Sequence, residues 1–131
     1  MAGHLFTLEE AKTHLQTLRE VLPRIIEASK EAEPLREHLM AIQRAAAGNG
    51  HVLDDSVASK RQRLEQLAEA INKDVGELNE KGIEIKDLSR GLVDFPSERE
   101  GRVVYLCWML GEDDITFWHE LDAGFPGRQP L

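Results

Sequence analysis

The residues best suited to chemistry in this sequence lie close together near its carboxyl end. His119 is followed within four positions by two carboxylates, Glu120 and Asp122. An imidazole beside carboxylates suits divalent metal ions, and a histidine also titrates near neutral pH, where it can serve as a general acid or base. We therefore take these three residues as candidate metal ligands. The structural alternative is a histidine that only hydrogen-bonds a neighbouring carbonyl or carboxylate.

A second group of residues in the same part of the chain has the chemistry of a ligand site. Its candidates are Asp94, Arg102, Cys107, Trp118 and Arg128. An arginine presents a planar fork of donors to a carboxylate or phosphate, so Arg128, which follows glycines, indicates an anion site. A cysteine within a strand is more often a small buried hydrophobe than a nucleophile. No spacing among these residues matches a motif of known mechanism, so the sequence does not decide whether the protein is an enzyme.

The ends of two predicted strands could bring both groups together. Asp94 ends one strand and His119 closes another. If these ends meet, an imidazole and several carboxylates share a small volume, and the repulsion between the carboxylates must be relieved. A divalent cation would relieve it, and so would Arg102 and Arg128. We favour the arginines, because ion pairing needs no cofactor.

The strands that hold these residues are predicted by a change of period after Gly82, from 3.6 residues to 2. Residues 83–85 alternate and predict a short strand, and residues 92–95 predict a second one that Pro96 ends. The charged residues 97–101 are expected to form a loop. Residues 102–119 then predict a β-hairpin that turns at Gly-Glu-Asp-Asp.

The register of that hairpin decides which side chains share a face. If Leu110 pairs with Ile115 across the turn, the face of Trp108 also carries His119, while Trp118 lies on the opposite face with Cys107. The first face is the more apolar, so we expect it to pack on the helices. The second face is then the site for a ligand.

Two amphipathic helices precede the strands. Thr7 to Glu10 fits a capping box, and apolar residues then recur in steps of three and four from Leu8 to Ala46. Pro23 and Pro34 each predict a kink or a break. Because the apolar phase survives both prolines, it favours a kinked but continuous helix.

The second helix is predicted from its boundaries and its stripe. Residues 48–50 (Gly-Asn-Gly) end the first arm, Ser56 is a candidate N-cap, and apolar residues line one face from Val57 to Leu78. Gly82 fits a helix C-cap. Two long stripes joined by a short polar loop predict an antiparallel helical hairpin.

These elements predict an α+β fold in a single domain, residues 1–131. A long, kinked, antiparallel helical hairpin (residues 7–81) packs with a small, mainly antiparallel β-sheet of three or four strands and a C-terminal tail (residues 82–131). Apolar stripes of about 40 and 25 residues outreach such a sheet. We therefore expect a homodimer through the helical arms, since symmetric pairing covers apolar surface.

Composition excludes several classes of partner. The formal net charge of −8 and an isoelectric point near 5.1 disfavour binding to nucleic acid or to an anionic membrane. No segment approaches the roughly 20 apolar residues of a membrane span. The single cysteine cannot form an internal disulfide, and the first residues lack the pattern of a signal peptide. A cytoplasmic location is expected.

Several segments resemble one protein family. The segments FTLEEA, KDLSRGLVDFP, GRVVYLCW and WHELDAGFPGRQP are similar to the bacterial DUF2203 family, whose function is unknown. The resemblance therefore implies no activity. Our leading hypothesis is a non-enzymatic binding or interaction module with its site on the C-terminal sheet. The alternatives are a metal-binding protein or metal-dependent enzyme that uses His119 and nearby carboxylates, and a structural helical adaptor.

Overall fold

The structure, a computed structural model, describes residues 3–49 and 55–131. Within them the helices are α1 (Leu8–Lys12), α2 (Leu15–Asn49) and α3 (Asp55–Glu80). The strands are β1 (Glu84–Asp87), β2 (Leu92–Arg99), β3 (Arg102–Met109), β4 (Phe117–His119) and β5 (Gln129–Pro130). They form one antiparallel sheet in the order β1-β2-β3-β4-β5. The predicted α+β class is confirmed.

The first helical arm begins at the predicted capping box. The Glu10 amide donates to the Thr7 hydroxyl, and the Thr7 amide donates to the Glu10 carboxylate, both over 3.1 Å. A turn at Thr13 and His14 separates α1 from α2, where the Thr13 hydroxyl donates to the Glu10 carbonyl over 2.6 Å and competes with helix continuation. The prolines do not split the arm, because α2 continues through both.

The second arm ends in a Schellman motif, as the glycine predicted. The Ile83 amide donates to the Leu78 carbonyl and the Gly82 amide to the Asn79 carbonyl, over 3.1 and 2.9 Å. Gly82 has a φ of 90°, which favours glycine. At the other end, the expected N-cap Ser56 lies just inside the helix, which begins at Asp55. The loop residues 50–54 lie outside the described residues.

The core lies between the helices and one face of the sheet, which we call the inner face. Its buried apolar residues are Phe6, Ala11, Leu15, Leu18, Leu22, Ile25, Leu78, Ile83, Val93, Phe95, Val104, Leu106, Trp108, Ile115 and Trp118. The residues that alternate with these along the strands form the outer face: Glu84, Asp94, Tyr105, Cys107, Phe117 and His119. Among the described helices, none is both long enough and apolar enough to cross a membrane.

Strand β2 does not end at Pro96, contrary to expectation. The Pro96 carbonyl accepts a hydrogen bond from the Phe6 amide over 2.7 Å. Because the nitrogen and carbonyl of one strand residue point to the same side, the proline nitrogen faces the N-terminal segment and not β3. Strand β1 pairs with β2 only as far as Asp94, so Pro96 removes no ladder hydrogen bond.

The expected charged loop at residues 97–101 is also wrong, since β2 and β3 are joined by a tight hairpin. Arg99 pairs with Arg102, which leaves Glu100 and Gly101 as the turn. Both have positive φ, 53° and 79°, as a type I′ turn requires. Glu-Gly is a weaker signal for this turn than Asn-Gly.

The predicted register of β3 with β4 is wrong by one residue. In the structure Leu106 pairs with Trp118 and Cys107 with Phe117. A one-residue slip moves every side chain of a strand to the other face. Trp118 therefore lies on the inner face, and His119 on the outer face.

The β3–β4 connection explains this slip. The Met109 amide donates to the Glu112 carboxylate over 2.7 Å, and the Trp108 indole donates to the Glu112 carbonyl over 3.1 Å. These bonds end β3 at Met109. Ile115 is buried in the core while its amide is bound by the Asp114 carboxylate, so it does not pair with Leu110 as a strand residue.

Candidate metal centre

Three buried polar side chains meet on the outer face of the sheet. Asp94, Cys107 and His119 come from β2, β3 and β4, and their residues are 1%, 0% and 2% exposed. One potential ligand atom from each lies within 4.8 Å of the others. Asp94 pairs directly with Cys107 across the β2–β3 ladder, and His119 reaches the pair from its position opposite Tyr105. Strand pairing thus assembles residues that are far apart in the sequence.

The hydrogen bonds of His119 require a positive charge or a shared proton in the cluster. Its Nδ1 lies 2.8 Å from the Glu120 carbonyl, which can only accept, so Nδ1 carries the ring proton. Its Nε2 lies 3.0 Å from both carboxylate oxygens of Asp94. A neutral ring and an ionised carboxylate would present two lone pairs to each other. A proton or a cation must therefore lie between them.

Burial disfavours negative charge on the other two members of the cluster. Desolvation raises the pKa of the Asp94 carboxyl, although His119 and the Cys107 thiol partly oppose the increase. Desolvation also raises the pKa of Cys107 to about 12, and the nearby Asp94 contributes in the same direction. Without a cation the thiol is protonated, and a bound cation would favour both ionised forms.

A second layer of polar side chains lies beside this cluster on the outer face. The Tyr105 ring lies 5.4 Å from the His119 ring, and its hydroxyl donates to Glu84 over 3.0 Å. Lys86 binds the same carboxylate over 2.8 Å and lies 4.5 Å above the Tyr105 ring. Burial and the Glu84 carboxylate raise the pKa of Tyr105. These residues were not among the candidates, although the alternation of residues 83–85 had indicated a strand.

The candidate arginines are paired with carboxylates inside the molecule. Arg102 binds Glu120 through two hydrogen bonds, 3.0 and 2.6 Å. Arg128 binds Glu112 in the same way, 3.0 and 2.6 Å, and donates to the Cys107 carbonyl over 3.3 Å. The expected anion site at Arg128 is therefore not formed, because Glu112 occupies its fork. Glu112 has a structural role that the sequence did not indicate.

Arg128 also joins the C-terminal segment to the outer face. Its guanidinium lies 4.3 Å from the Phe117 ring and 4.7 Å from the Phe125 ring. Burial alone would lower its pKa, yet the net shift is upward because of Glu112 and Cys107. The segment that follows β4 is thus fixed next to the cluster.

The structure does not bring the other two candidate ligands to His119. Side chains alternate along a strand, so Glu120 projects to the opposite face, where it binds Arg102. Asp122 is exposed in the turn that follows. Their places beside His119 are taken by Asp94, which was a candidate ligand-binding residue, and by Cys107.

Trp118 belongs to the core and not to this cluster. It is 6% exposed, and the guanidinium groups of Arg99 and Arg102 lie 4.5 and 5.8 Å from its ring. The expectation that it shares a face with Cys107 is wrong, because the hairpin register on which it depended is shifted by one residue. Its neighbour Arg99 was not among the candidates.

Fold and site together define an α+β protein in which a helical hairpin covers one face of an antiparallel sheet and a buried Asp-Cys-His cluster lies on the other. A family model described as an uncharacterized conserved protein (DUF2203) matches residues 4–131, so the chain belongs to that family. No curated protein and no solved structure matches the chain.

Proposed function

We propose that this protein is a non-enzymatic binding module whose ligand is a divalent transition-metal ion, with Zn²⁺ the best fit. The proposed ligands are Asp94, Cys107 and His119. The observation that carries the proposal is the contact between His119 Nε2 and both Asp94 oxygens at 3.0 Å, which requires a cation or a proton between them. A metal ion meets this requirement and also favours the thiolate of Cys107.

The distances suit such an ion. Zinc bonds of about 2.0 to 2.3 Å in tetrahedral geometry separate the donor atoms by roughly 3.3 to 3.8 Å. The three donor atoms lie within 4.8 Å of one another. Displacements of each donor atom by about an ångström or less would bring them to these separations. The Nδ1 bond to the Glu120 carbonyl also fits, because metal-binding histidines usually donate the other ring N–H to such an acceptor.

The chemistry of the donors decides which metal is favoured. A thiolate and an imidazole are ligands for zinc, copper, iron and nickel, whereas calcium and magnesium bind oxygen. A cluster with one sulfur, one nitrogen and one carboxylate therefore selects a transition metal. Zinc accepts all three ligand types.

The burial of the site favours binding over catalysis. A catalytic zinc keeps a coordination position that substrate can reach. All three proposed ligands are less than 3% exposed, and Tyr105, which is hydrogen-bonded to Glu84, packs beside His119. The ion would join β2, β3 and β4 and so stabilise the sheet. A metal-dependent enzyme remains the second candidate and would need this outer layer to move.

The test is metal analysis and thermal melting of protein purified without a histidine tag. We expect about one zinc per chain, a lower melting temperature with chelator, and recovery when zinc is added. Asp94→Asn, Cys107→Ser and His119→Gln should each abolish the response to zinc. Tyr105→Phe is the matched control, because it changes the same face without removing a ligand, and it should keep the response.

Substitution with cobalt(II) provides a second, spectroscopic test of the same site. Cobalt bound by a thiolate gives a charge-transfer absorption, which should be present in the wild type and absent in Cys107→Ser. If the protein carries no metal, and its melting temperature is unchanged by chelator, zinc, manganese and iron, the metal proposal is wrong. Asp94 and His119 would then be a structural pair that shares a proton, and a helical adaptor would become the better hypothesis.

We also propose a homodimer formed through the outer parts of the helical arms. Along the described part of α2, the last buried residue is Ala32, and Met40 further along is 50% exposed. The described part of the arm therefore carries partly exposed apolar side chains, Leu39 and Met40, beyond its last buried residue. For the location we propose the reducing cytoplasm, since the buried Cys107 is the single cysteine and a thiol ligand must stay reduced.

A further inference from the structure

A groove of about 540 Å³ lies on the inner face, at the end of the sheet nearest the β2–β3 turn. Its apolar wall comes from the N-terminal segment, strand β3 and the last residue of the chain: Leu5, Phe6, Leu8, Val104, Leu106 and Leu131. Two of these, Leu5 and Leu131, are 41% and 45% exposed. The volume lies within the range of about 300 to 1,000 Å³ that is typical of small-molecule sites.

One cationic side chain borders this wall. Arg99 alternates with Ser97 along β2 and so lies on the inner face, with its guanidinium 4.5 Å from the Trp118 ring. Glu98 also borders the groove, but strand alternation directs its carboxylate to the outer face. The groove therefore combines an apolar wall with a single positive charge at its edge.

Arg99 differs from the other arginines between residues 90 and 128. Arg90, Arg102 and Arg128 each bind a carboxylate. Within residues 3–49 and 55–131, Arg99 has no hydrogen-bond or ion-pair partner, although acidic residues outnumber basic ones by 24 to 16 in the whole chain. Its guanidinium carbon lies over the Trp118 ring, and its N–H groups, which have no partner among the described residues, are able to bind a carboxylate.

The two hydroxyl groups that line the groove are already engaged. The Ser97 hydroxyl donates to the Phe6 carbonyl over 2.6 Å, and the Thr7 hydroxyl caps α1. A peptide in this groove would bring several amide groups that need partners, whereas a fatty acid brings one polar group and an apolar chain. The side-chain chemistry of the groove matches the fatty acid.

We propose that this groove binds a medium-chain fatty carboxylate. The carboxylate forms paired hydrogen bonds with the edge of Arg99, and the alkyl chain lies against Leu106, Leu5 and Leu131. This site lies on the face of the sheet opposite the proposed metal centre. It does not depend on the metal proposal.

The experiment is calorimetric titration of the full chain with octanoate, with tryptophan fluorescence, to which Trp118 beside Arg99 contributes, as a second signal. Octanoate should bind at one site per chain, and octanol, which has the same apolar chain without the carboxylate, should bind at least tenfold more weakly. Arg99→Gln should weaken octanoate binding at least tenfold, and Arg99→Lys should weaken it less. Arg90→Gln is the matched control, because it removes another arginine that lies over an aromatic ring, and it should leave octanoate affinity unchanged.

The following results would overturn the proposal. These are no octanoate binding at millimolar concentration, equal binding of octanoate and octanol, and equal octanoate affinity in wild type and Arg99→Gln. Tighter binding of a peptide with an apolar C-terminal residue than of octanoate would also overturn it, and would identify a protein partner. Circular dichroism of Arg99→Gln establishes that the variant is folded, and if it is not, Arg99→Lys and the octanol comparison decide.

Discussion

The helical arms and the sheet hold their charged groups in different environments. On the arms, Arg63 binds Glu31 across the hairpin with both side chains about half exposed. On the outer face of the sheet, Asp94 and His119 make a comparable contact at 3.0 Å with side chains only 2% and 3% exposed. The first contact is in water, and the second is in the protein interior.

Because of this difference in environment, the loss of a contact reduces the stability of the fold by different amounts in the two regions. An exposed ion pair contributes about 0 to 1 kcal/mol, because water competes with it and ordering two long side chains opposes it. Removing one member of a buried pair costs several kcal/mol, because the remaining group keeps its desolvation penalty. Among the described residues, Asp94 and His119 on the outer face are the most deeply buried polar side chains, 1% and 2% exposed against 7% for Asp74 and 6% for Ser97. That face is therefore the part of the described chain where a function is most expected.

The largest effect should come from the apolar core of the sheet. Trp108→Ala removes a fully buried indole and should lower the free energy of unfolding by about 3 to 5 kcal/mol. Because Trp118 also lies on the inner face, Trp118→Ala should have an effect of similar size. Val103→Ala, at an exposed position of β3, should change it by less than about 1 kcal/mol. Urea denaturation measures all three, and a mild Trp118→Ala would indicate the other hairpin register.

The next largest effect should come from the buried pair. In the presence of chelator, His119→Ala should lower the free energy of unfolding by about 3 kcal/mol, because Asp94 keeps its burial and loses its partner. The double variant Asp94→Ala, His119→Ala should be more stable than the sum of the single effects predicts, by about 1 kcal/mol or more. Strict additivity in this double-mutant cycle would mean that the two side chains do not interact.

An intermediate effect is expected for the ion pair at the base of the arms. Hydrogen bonds from Arg24, 2.9 Å each, hold the pKa of Asp74 below its usual range. A carboxyl whose pKa is lower in the folded state stabilises the fold above its unfolded pKa of about 3.9, and this contribution disappears as the pH falls through the folded pKa.

Asp74→Asn should therefore lower the free energy of unfolding by about 1 kcal/mol at pH 7 and by much less near pH 2. Glu69→Gln, at an exposed position of the same helix, is the control and should have little effect at either pH. Unfolding curves across this pH range test the assignment. An equal loss at both ends would show that the Asp74 charge is not involved.

The smallest expected effect is on dimerisation through the outer parts of the helical arms. We expect a dimer at tens of micromolar by light scattering, and Met40→Glu should shift it toward monomer because it places a charge on the exposed apolar stripe. Lys73→Gln, exposed on α3, should leave the dimer unchanged. A monomeric wild type at these concentrations would contradict the dimer.

Features that depend on neighbouring residues could be predicted from the sequence. The cap at Thr7, the end of the hairpin at Gly82 and the two apolar stripes each follow from residues within a few positions of one another. The continuity of α2 past Pro34 also followed from local phase. Such features are fixed by backbone hydrogen bonds and side chains one helical turn apart.

Features that depend on long-range pairing were predicted less well. Pro96 continues a strand because the N-terminal segment supplies the partner of its carbonyl. Glu112 ends β3 with its own carboxylate, and this shifts β4 by one residue. Neither contact can be predicted from the pattern of neighbouring residues in the sequence.

The candidate site illustrates both cases. The sequence by itself determined that the polar residues of interest lie between Asp94 and Arg128, and that His119 ends a strand. Only the tertiary structure decided that Asp94 and Cys107 join His119, while Glu120 binds Arg102. The reason is that strand side chains alternate with a period of two, so a shift of one residue in strand pairing determines which residues share a face.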